Sequence, residues 1–140
     1  MINSVIDGVC LALSSTFGAG YEIYTESIEQ GLTEPCFSVF CLSPTNQRYL
    51  GDKFHHSTPI CVQYFPSTTE KKSECNAVFE TLSECLEVIK ADEAYIRGTE
   101  IHSEYANEVL SVFITYNCFT LRKEEQENMG DLTQNTNTKG

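Results

Sequence analysis

The sequence predicts an α+β domain with the element order α-β-β-β-α-β-β, in which two amphipathic helices pack on one face of a mostly antiparallel sheet. Two segments carry apolar residues at spacings of three and four, which is the period of a helix. Five other segments are rich in β-branched and aromatic residues or alternate between apolar and polar side chains. The strands come in runs before and after the second helix, which favours helices layered on one sheet.

The first helix is predicted over residues 2–17. Its apolar face consists of Ile2, Val5, Ile6, Val9, Leu13 and Phe17. The sequence "FGAG" follows, and its glycines suit a C-terminal cap. A short strand, "YEIYTE", then leads into the polar stretch "SIEQGLTEP", which holds a glycine, ends at a proline and therefore predicts a loop.

Two further strands are predicted between this loop and the second helix. The segment "CFSVFCLS" is apolar at both parities, as is typical of a strand buried on both sides. A turn is expected at Ser43-Pro44-Thr45-Asn46. Residues 52–65 then predict a strand with His55 and Cys61 on one face and His56 on the other. Pro59 lacks an N–H group, which indicates an edge position or a bulge.

The second helix is predicted within "KKSECNAVFETLSECLEVIKADEA". Its apolar stripe consists of Cys75, Val78, Phe79, Leu82, Cys85, Leu86 and Ile89. The strands "GTEIHSEYA" and "EVLSVFITYNCFTL" follow, and a tight turn at Ala106-Asn107 predicts that they form an antiparallel hairpin. Residues 1–121 are thus expected to form one domain. Residues 122–140 are polar, have little to bury and are expected to form a disordered tail.

The chain of 140 residues is strongly acidic, with a formal net charge of −11. Sixteen acidic and six basic residues in the range 1–121 give that part about −10. Such a body repels phosphate backbones, which argues against sequence-specific binding of nucleic acid. No run of about 18 apolar residues predicts a membrane span, and the N-terminus lacks the basic region of a signal peptide. We therefore expect a soluble protein made in a cytoplasm.

The seven cysteines are expected to be reduced. Their number is odd, no pair forms a CxxC motif, and no export signal precedes them. Cys61 with a neighbouring histidine is a candidate nucleophile, but nothing local in the sequence promotes ionisation of its thiol. We expect most of these cysteines to act as small core hydrophobes.

A metal site is the other chemistry that the sequence raises. His55 and His56 point to opposite faces of a regular strand, so they cannot both bind one ion. A site of His102, one of this pair and a cysteine stays geometrically open, but no close-spaced pair of ligands supports it. Acidic pairs occur at Glu22/Glu26 and Glu100/Glu104, and the solvated face of a strand explains them fully. We expect no metal, no cofactor and no catalytic residue.

The order of several segments carries a resemblance to a known family. These segments are "EPCF", "SPTNQRYLGDKF", "QYFP" and the closing strand "VLSVFITYNCF". Together with the amphipathic helices between them, they resemble the tail terminator family of contractile-tailed phages and phage-like particles (tailocins) of Gram-positive bacteria. The resemblance covers roughly residues 2–121.

This resemblance implies a structural role and neither a reaction nor a cofactor. Proteins of this kind form a hexameric ring on the end of a finished tail tube and stop its polymerisation. The ring offers a docking surface to the neck or head connector and contacts the sheath. The implied location is the bacterial cytoplasm during assembly, and then the head-proximal end of the tail.

Five residues of the loop "SPTNQRYLGDK" are the expected interface: Gln47, Arg48, Tyr49, Leu50 and Lys53. They have no obvious core role, and arginine and tyrosine are favoured as interface anchors. We expect this loop to contact a neighbouring subunit or the tube, although an ordinary exposed hairpin connection explains it equally well.

Three alternatives remain open on the sequence alone. The first is another small neck or head–tail joining protein. The second is an enzyme that depends on a metal or a thiol, with His55, His56, His102 and Cys61 as its residues. The third is a monomeric binding domain that adds a partner strand to a sheet edge.

Overall fold

The computed structural model describes residues 2–26 and 33–121. Two helices and seven strands follow one another in this part of the chain. They are α1 (Ile2–Phe17), β1 (Glu22–Tyr24), β2 (Cys36–Cys41), β3 (Thr45–Leu50), β4 (Lys53–Phe65), α2 (Lys71–Cys85), β5 (Val88–Ala91), β6 (Ala94–Ala106) and β7 (Val109–Leu121). Part of the predicted loop, residues 27–32, and the predicted tail, residues 122–140, lie outside the described residues.

The strands form one sheet in the order β1-β2-β4-β7-β6-β5, and β3 pairs with β4. The pairs β2–β4, β5–β6 and β6–β7 are antiparallel, whereas β1 runs parallel to β2. The predicted fold class is therefore confirmed as α+β, with a mostly antiparallel sheet. Neither helix of the described residues is long and apolar enough to span a membrane.

The chain divides into two compact units. The larger unit comprises Met1–Pro44 and Ser57–Asn117, and the smaller comprises Thr45–His56 and Cys118–Gly140. The larger unit holds both helices, and α1 packs on β2 and β5. The smaller unit holds β3, the start of β4 and the end of β7.

Helix α1 begins and ends where the apolar spacing predicts. Val5, Val9 and Leu13 are fully buried. Gly18 ends the helix with φ +84°, and its N–H donates to the carbonyl of Ser14 at 3.0 Å. This left-handed conformation strains any residue with a Cβ, which explains the glycine.

The close approach of α1 to β5 depends on Gly8. A Cβ at this position would lie 2.5 Å from the carbonyl oxygen of Lys90 and 3.3 Å from the Cδ1 of Ile89. The first of these contacts is with backbone, which a rotamer change cannot relieve. Gly8 therefore lets the helix backbone approach β5 closely.

Two strands were not predicted. β3 occupies Thr45–Leu50, so the predicted turn at residues 43–46 was wrong in its second half. β5 occupies Val88–Ala91, where the sequence analysis extended the second helix. Helix α2 ends at Cys85, and Ile89 lies in a strand, so its predicted place on the helical stripe was wrong. Val88 and Ile89 are β-branched, and pairing with β6 gives them ladder partners that a helix would not.

Both hairpins of the larger unit close with two residues in the left-handed region. These are Asp92 and Glu93 between β5 and β6, with φ of 52° and 67°, and Asn107 and Glu108 between β6 and β7, with φ of 53° and 62°. Positive φ at both central residues is the type I′ geometry that matches the twist of paired strands. The predicted turn at Ala106-Asn107 is thus present, displaced by one residue.

Strand β4 alternates as predicted, because His56, Thr58, Ile60, Val62 and Tyr64 are all buried. Of the two positions predicted for Pro59, an edge or a bulge, the edge was wrong, because β4 lies inside the sheet between β2 and β7. The register of β2 and β4 ends at Cys41 and Ile60, and the carbonyl of Pro59 then accepts a hydrogen bond from the N–H of Leu42 at 2.9 Å. The missing N–H of Pro59 therefore falls where the β2 ladder ends.

Glu74 joins the start of α2 to the end of β4. Its carboxylate accepts hydrogen bonds from the Tyr64 hydroxyl at 2.5 Å, the Thr68 hydroxyl at 2.6 Å and the backbone N–H groups of Thr68 and Ser67 at 3.0 and 3.2 Å. Burial alone would raise the pKa of Glu74, but these hydrogen bonds outweigh it and lower the pKa from 4.5 to about 2. The carboxylate stays charged in the folded protein.

We expect the substitution Gly8→Ala to destabilise the protein by about 1–3 kcal/mol, because the new Cβ forces α1 away from β5. In a helix without this contact, alanine would be about 1 kcal/mol more favourable than glycine. A loss of stability would therefore show that the contact with β5 outweighs the helix propensity of alanine. Gly20→Ala is the control, since nothing lies within 4 Å of a Cβ there. Urea unfolding of both variants checks this, and a stabilised Gly8→Ala protein would contradict the packing.

We expect Glu74→Gln to lower the free energy of unfolding at neutral pH by about 1–2 kcal/mol. This is less than the full pKa shift implies, because solvent screens the half-buried carboxylate. A lowered folded pKa gives stability that is present above about pH 4.5 and is lost as the pH falls towards 2. The difference from the wild type should therefore shrink over that range. Glu80→Gln, an exposed change of the same charge on α2, should show no such trend.

Candidate interaction surface

The hairpin of β3 and β4 is the most exposed regular structure of the smaller unit. All six residues of β3 are exposed, on both faces of the strand. Gly51 turns the chain with φ +57°, and the Arg48 guanidinium donates to its carbonyl oxygen at 2.7 Å. A strand exposed on both faces buries little apolar surface, so its own packing contributes little to its stability.

One face of this hairpin carries a cluster of rings and a cation, which we call the aromatic face: Tyr49, Lys53, His55 and Phe119. The rings of Tyr49 and His55 lie 5.3 and 5.0 Å from that of Phe119. The Lys53 ammonium lies 4.8 Å from the ring centroid of Phe119 and 5.8 Å from that of Tyr49. These distances are those of cation–π pairs.

The aromatic face exposes much apolar surface. Tyr49 is 63% exposed and Phe119 is 50% exposed. Leu121, two residues beyond Phe119 on the same face of β7, is 74% exposed. Large apolar side chains clustered at the surface are typical of a contact with another protein.

The opposite face is fixed by His56, which is only 8% exposed. Its Nδ1 lies 2.5 Å from the amide oxygen of Asn46, and its Nε2 lies 2.6 Å from the hydroxyl of Thr120. In the neutral ring, Nδ1–H donates to Asn46 and Nε2 accepts from Thr120. This buried ring therefore ties β3, β4 and the end of β7 together.

The structure distributes the five expected interface residues over both faces. Tyr49 and Lys53 lie together on the aromatic face. Arg48 lies on the opposite face, with its guanidinium 4.9 Å from the centroid of the Phe54 ring. Gln47 and Leu50 are exposed. Their role as an interface stays a prediction.

Sequence reasoning missed Phe119 and His55 as members of this surface. Phe119 lies 66 positions beyond Lys53 in the chain, so no local pattern joins them. Its alternation with Leu121 on β7 was a visible signal, but only the strand order shows which hairpin lies beside it.

The residues considered for metal binding are not brought together. His55 contacts Phe119, His56 is bonded to Asn46 and Thr120, and the ring of His102 stacks on Phe113 at 5.1 Å. Among residues 2–26 and 33–121, no group of three or more His, Cys, Asp or Glu side chains has the arrangement of a metal site.

The thiols show no activated nucleophile. All seven cysteines are free. Cys61 is buried, and desolvation, with a smaller contribution from the charge of Glu104, raises its pKa to about 11. Burial likewise raises the pKa of Cys36 to about 11, with additions from Glu34 and Glu22. A raised thiol pKa leaves little thiolate at neutral pH, which is the reverse of what nucleophilic catalysis needs.

The fold and this surface define a small α+β protein with an exposed face suited to contacts between proteins. The family model described as "Phage tail terminator protein" matches residues 4–128. The chain belongs to this family, and it is thus a structural protein of a phage tail that interacts with other tail proteins.

Other comparisons add little. No curated protein matches the chain. One solved structure without a descriptive name is 12% identical, with a TM-score of 0.43, and the match covers 89% of this chain and 99% of that one. A likeness at that level carries no argument about function.

We expect Cys61 to resist alkylation in the folded protein. A rise in pKa from 9 to about 11 leaves about a hundredfold less thiolate at a given pH, and burial reduces access further. Iodoacetamide labelling followed by peptide mass spectrometry checks this, with the less buried Cys41 as the internal reference. Labelling of Cys61 ahead of Cys41 at neutral pH would contradict it and restore the thiol enzyme as an alternative.

Proposed function

We propose that this protein caps the end of a tail tube as a hexameric ring. The ring stops polymerisation of the tube and offers a docking surface to the neck or head connector and to the end of the sheath. The particle is a contractile-tailed phage or a tailocin of a Gram-positive bacterium. The protein assembles in the bacterial cytoplasm and ends at the head-proximal end of the tail.

The observation that carries this proposal, beyond family membership, is the exposure of the β3–β4 hairpin. A strand with six exposed residues, beside the rings of Tyr49 and Phe119, which are each half exposed or more, leaves apolar surface that a neighbouring subunit or the tube would cover. Tyrosine and arginine, both present here, are favoured at the centres of interfaces. We propose Gln47, Arg48, Tyr49, Leu50 and Lys53 as contact residues.

The hairpin is also anchored well enough to present this surface in one conformation. His56 holds it from the opposite face through two hydrogen bonds, and Arg48 closes its turn. A surface held in its bound conformation loses less conformational entropy on binding, which raises affinity.

The experiment measures the mass of the purified protein alone and with the tail tube protein of the same particle, by light scattering and electron microscopy. For the protein alone, we expect a monomer of 15.7 kDa or a ring. With the tube protein, we expect six-membered caps on the tube ends that stop tube growth. A protein that leaves tube length unchanged would contradict tube capping and favour another component of the neck.

We expect the double substitution Tyr49→Ser, Leu50→Ser to reduce capping by about tenfold or more, because it removes exposed anchors without touching the core. Leu42→Ser is the matched control, since Leu42 is an exposed leucine of the larger unit, outside the proposed contact residues. Equal capping by the wild type and the double variant would show that the hairpin is not the contact surface. Circular dichroism checks that both variants fold.

A further inference from the structure

Within the described residues, the cations of the hairpin form no ion pair with an acidic side chain. In the described residues, the ion pair that forms is Arg97 with Glu87, at 2.8 Å, and neither Arg48 nor Lys53 takes part in one. The range 1–121 holds sixteen acidic residues against six basic ones, and two of those six lie in this hairpin. The hairpin also holds Asp52, so residues 45–56 carry a net charge of +1 on a protein whose net charge is −11, and Lys53 is the cation of its aromatic face.

A second surface, in the larger unit, has the complementary properties. The outer side of α1 and the β5–β6 turn enclose a cavity of about 380 Å³, which we call the α1–β5 groove. Three carboxylates line it, those of Asp7, Asp92 and Glu93, together with the Leu11 side chain, which is 59% exposed. Lys90 also lines it, so the net charge of the groove is −3 + 1 = −2.

The groove is partly fixed in shape. The Ser4 hydroxyl donates to the Asp92 carboxylate at 2.6 Å, which ties the β5–β6 turn to α1. The contact between Gly8 and the Lys90 carbonyl sets the floor, because no side chain separates the helix from the strand there. The Asp92 carboxylate on the acidic side of the groove is therefore held against α1.

We infer that the aromatic face of one copy docks in the α1–β5 groove of a second copy. Lys53 then meets the carboxylates of Asp7, Asp92 and Glu93, and the rings of Tyr49 and Phe119 cover Leu11. Charge complementarity is the argument for this occupant, because the aromatic face carries a cation that forms no ion pair within residues 2–26 and 33–121, and the groove has a surplus of carboxylates. The inference rests on the proposed function, since the ring supplies the second copy.

Other cavities fit less well. The cavity beside the start of α2 is lined by Glu70 and Glu108 but also by Lys71 and Lys72, so its charges balance. The cavity between α2 and β6 carries Glu80 with Lys72 and balances likewise. Neither would attract a cationic hairpin as the α1–β5 groove does. The cavity of Glu70 and Glu74 also has a net charge of −2, but the Glu74 carboxylate already accepts four hydrogen bonds, and the other residues that line this cavity are threonines and a serine. The cavity beside β2 carries a single carboxylate, that of Glu26.

Docking of this kind joins two different surfaces, so the interface is heterologous. Each copy offers one aromatic face and one groove, and each can therefore bind two neighbours. Heterologous contacts generate closed rings when the rotation between copies closes, whereas contacts between identical surfaces stop at pairs. A rotation that closes after six copies gives the proposed ring without any further contact surface, whereas one that does not close gives an open filament.

Charge reversal tests the docking. We expect Lys53→Glu alone and Asp7→Lys alone each to reduce ring formation on tube ends by about tenfold, and the two together in one chain to restore it. Glu80→Lys, an exposed reversal outside the groove, is the control and should keep wild-type capping. Full capping by Lys53→Glu, or no recovery in the double variant, would overturn the docking inference. Capping by the wild-type protein would still support the proposed function in that case.

A second readout does not need capping activity. A mixture of ¹⁴N- and ¹⁵N-labelled wild-type protein is treated with a zero-length carbodiimide, with and without tubes, and analysed by mass spectrometry. Mixed-label cross-links from Lys53 to Asp7, Asp92 or Glu93 are the expected result, whether or not the protein caps tubes. Cross-links of Lys53 to the tube protein alone, or no mixed-label product at these residues, would overturn the docking.

Discussion

The alternation of side chains along β4 is the constraint on which most of this structure depends. Tyr64, Val62 and Ile60 on its buried face join the core of the larger unit, and His56 on the same face fixes the hairpin of the smaller unit. Because the side-chain period of a strand is two, a slip of one residue would move every one of these side chains to the other face of the sheet. The same register places Lys53 and His55 on the opposite face, where they meet Phe119.

The elements that sequence could predict are those whose stability is encoded locally. Helix α1 carries its own apolar face and its own glycine cap, and both of its ends were predicted to the residue. The assignment of β4 residues to two faces was predicted for the same reason, since the side-chain period of a strand is two, but the sequence did not show which face is buried. Even the β6–β7 turn, whose two left-handed residues are Asn107 and Glu108, was displaced by only one position.

The elements that sequence missed are those that tertiary contacts create. The stretch Leu86–Ile89 continues the helical spacing of α2, and only pairing of Val88 with Arg97 and Ile89 with Ile96 makes it a strand. β3 is polar and exposed on both faces, so no periodic pattern marks it, and its structure comes from β4 and from the His56 hydrogen bonds. For the same reason, only part of the candidate surface was predicted. Tyr49 and Lys53 lie close together in the sequence, whereas Phe119 comes beside them only through the pairing of strands in the sheet.

The negative charge of the chain opposes association between copies, whereas its exposed aromatic face favours it. This combination suits a protein that assembles on a template. A net charge of −11 keeps free copies apart and keeps their exposed rings in solution. At physiological salt this repulsion fades within about 8 Å, so a local contact between a cation and carboxylates acts without opposition from distant charges. Each such contact is weak alone. On a tube end, neighbouring copies are held at high effective concentration, and each contact in a closed ring then stabilises the next. An interface that joins free monomers only briefly and holds on a template would confine the stable form of the proposed ring to finished tubes.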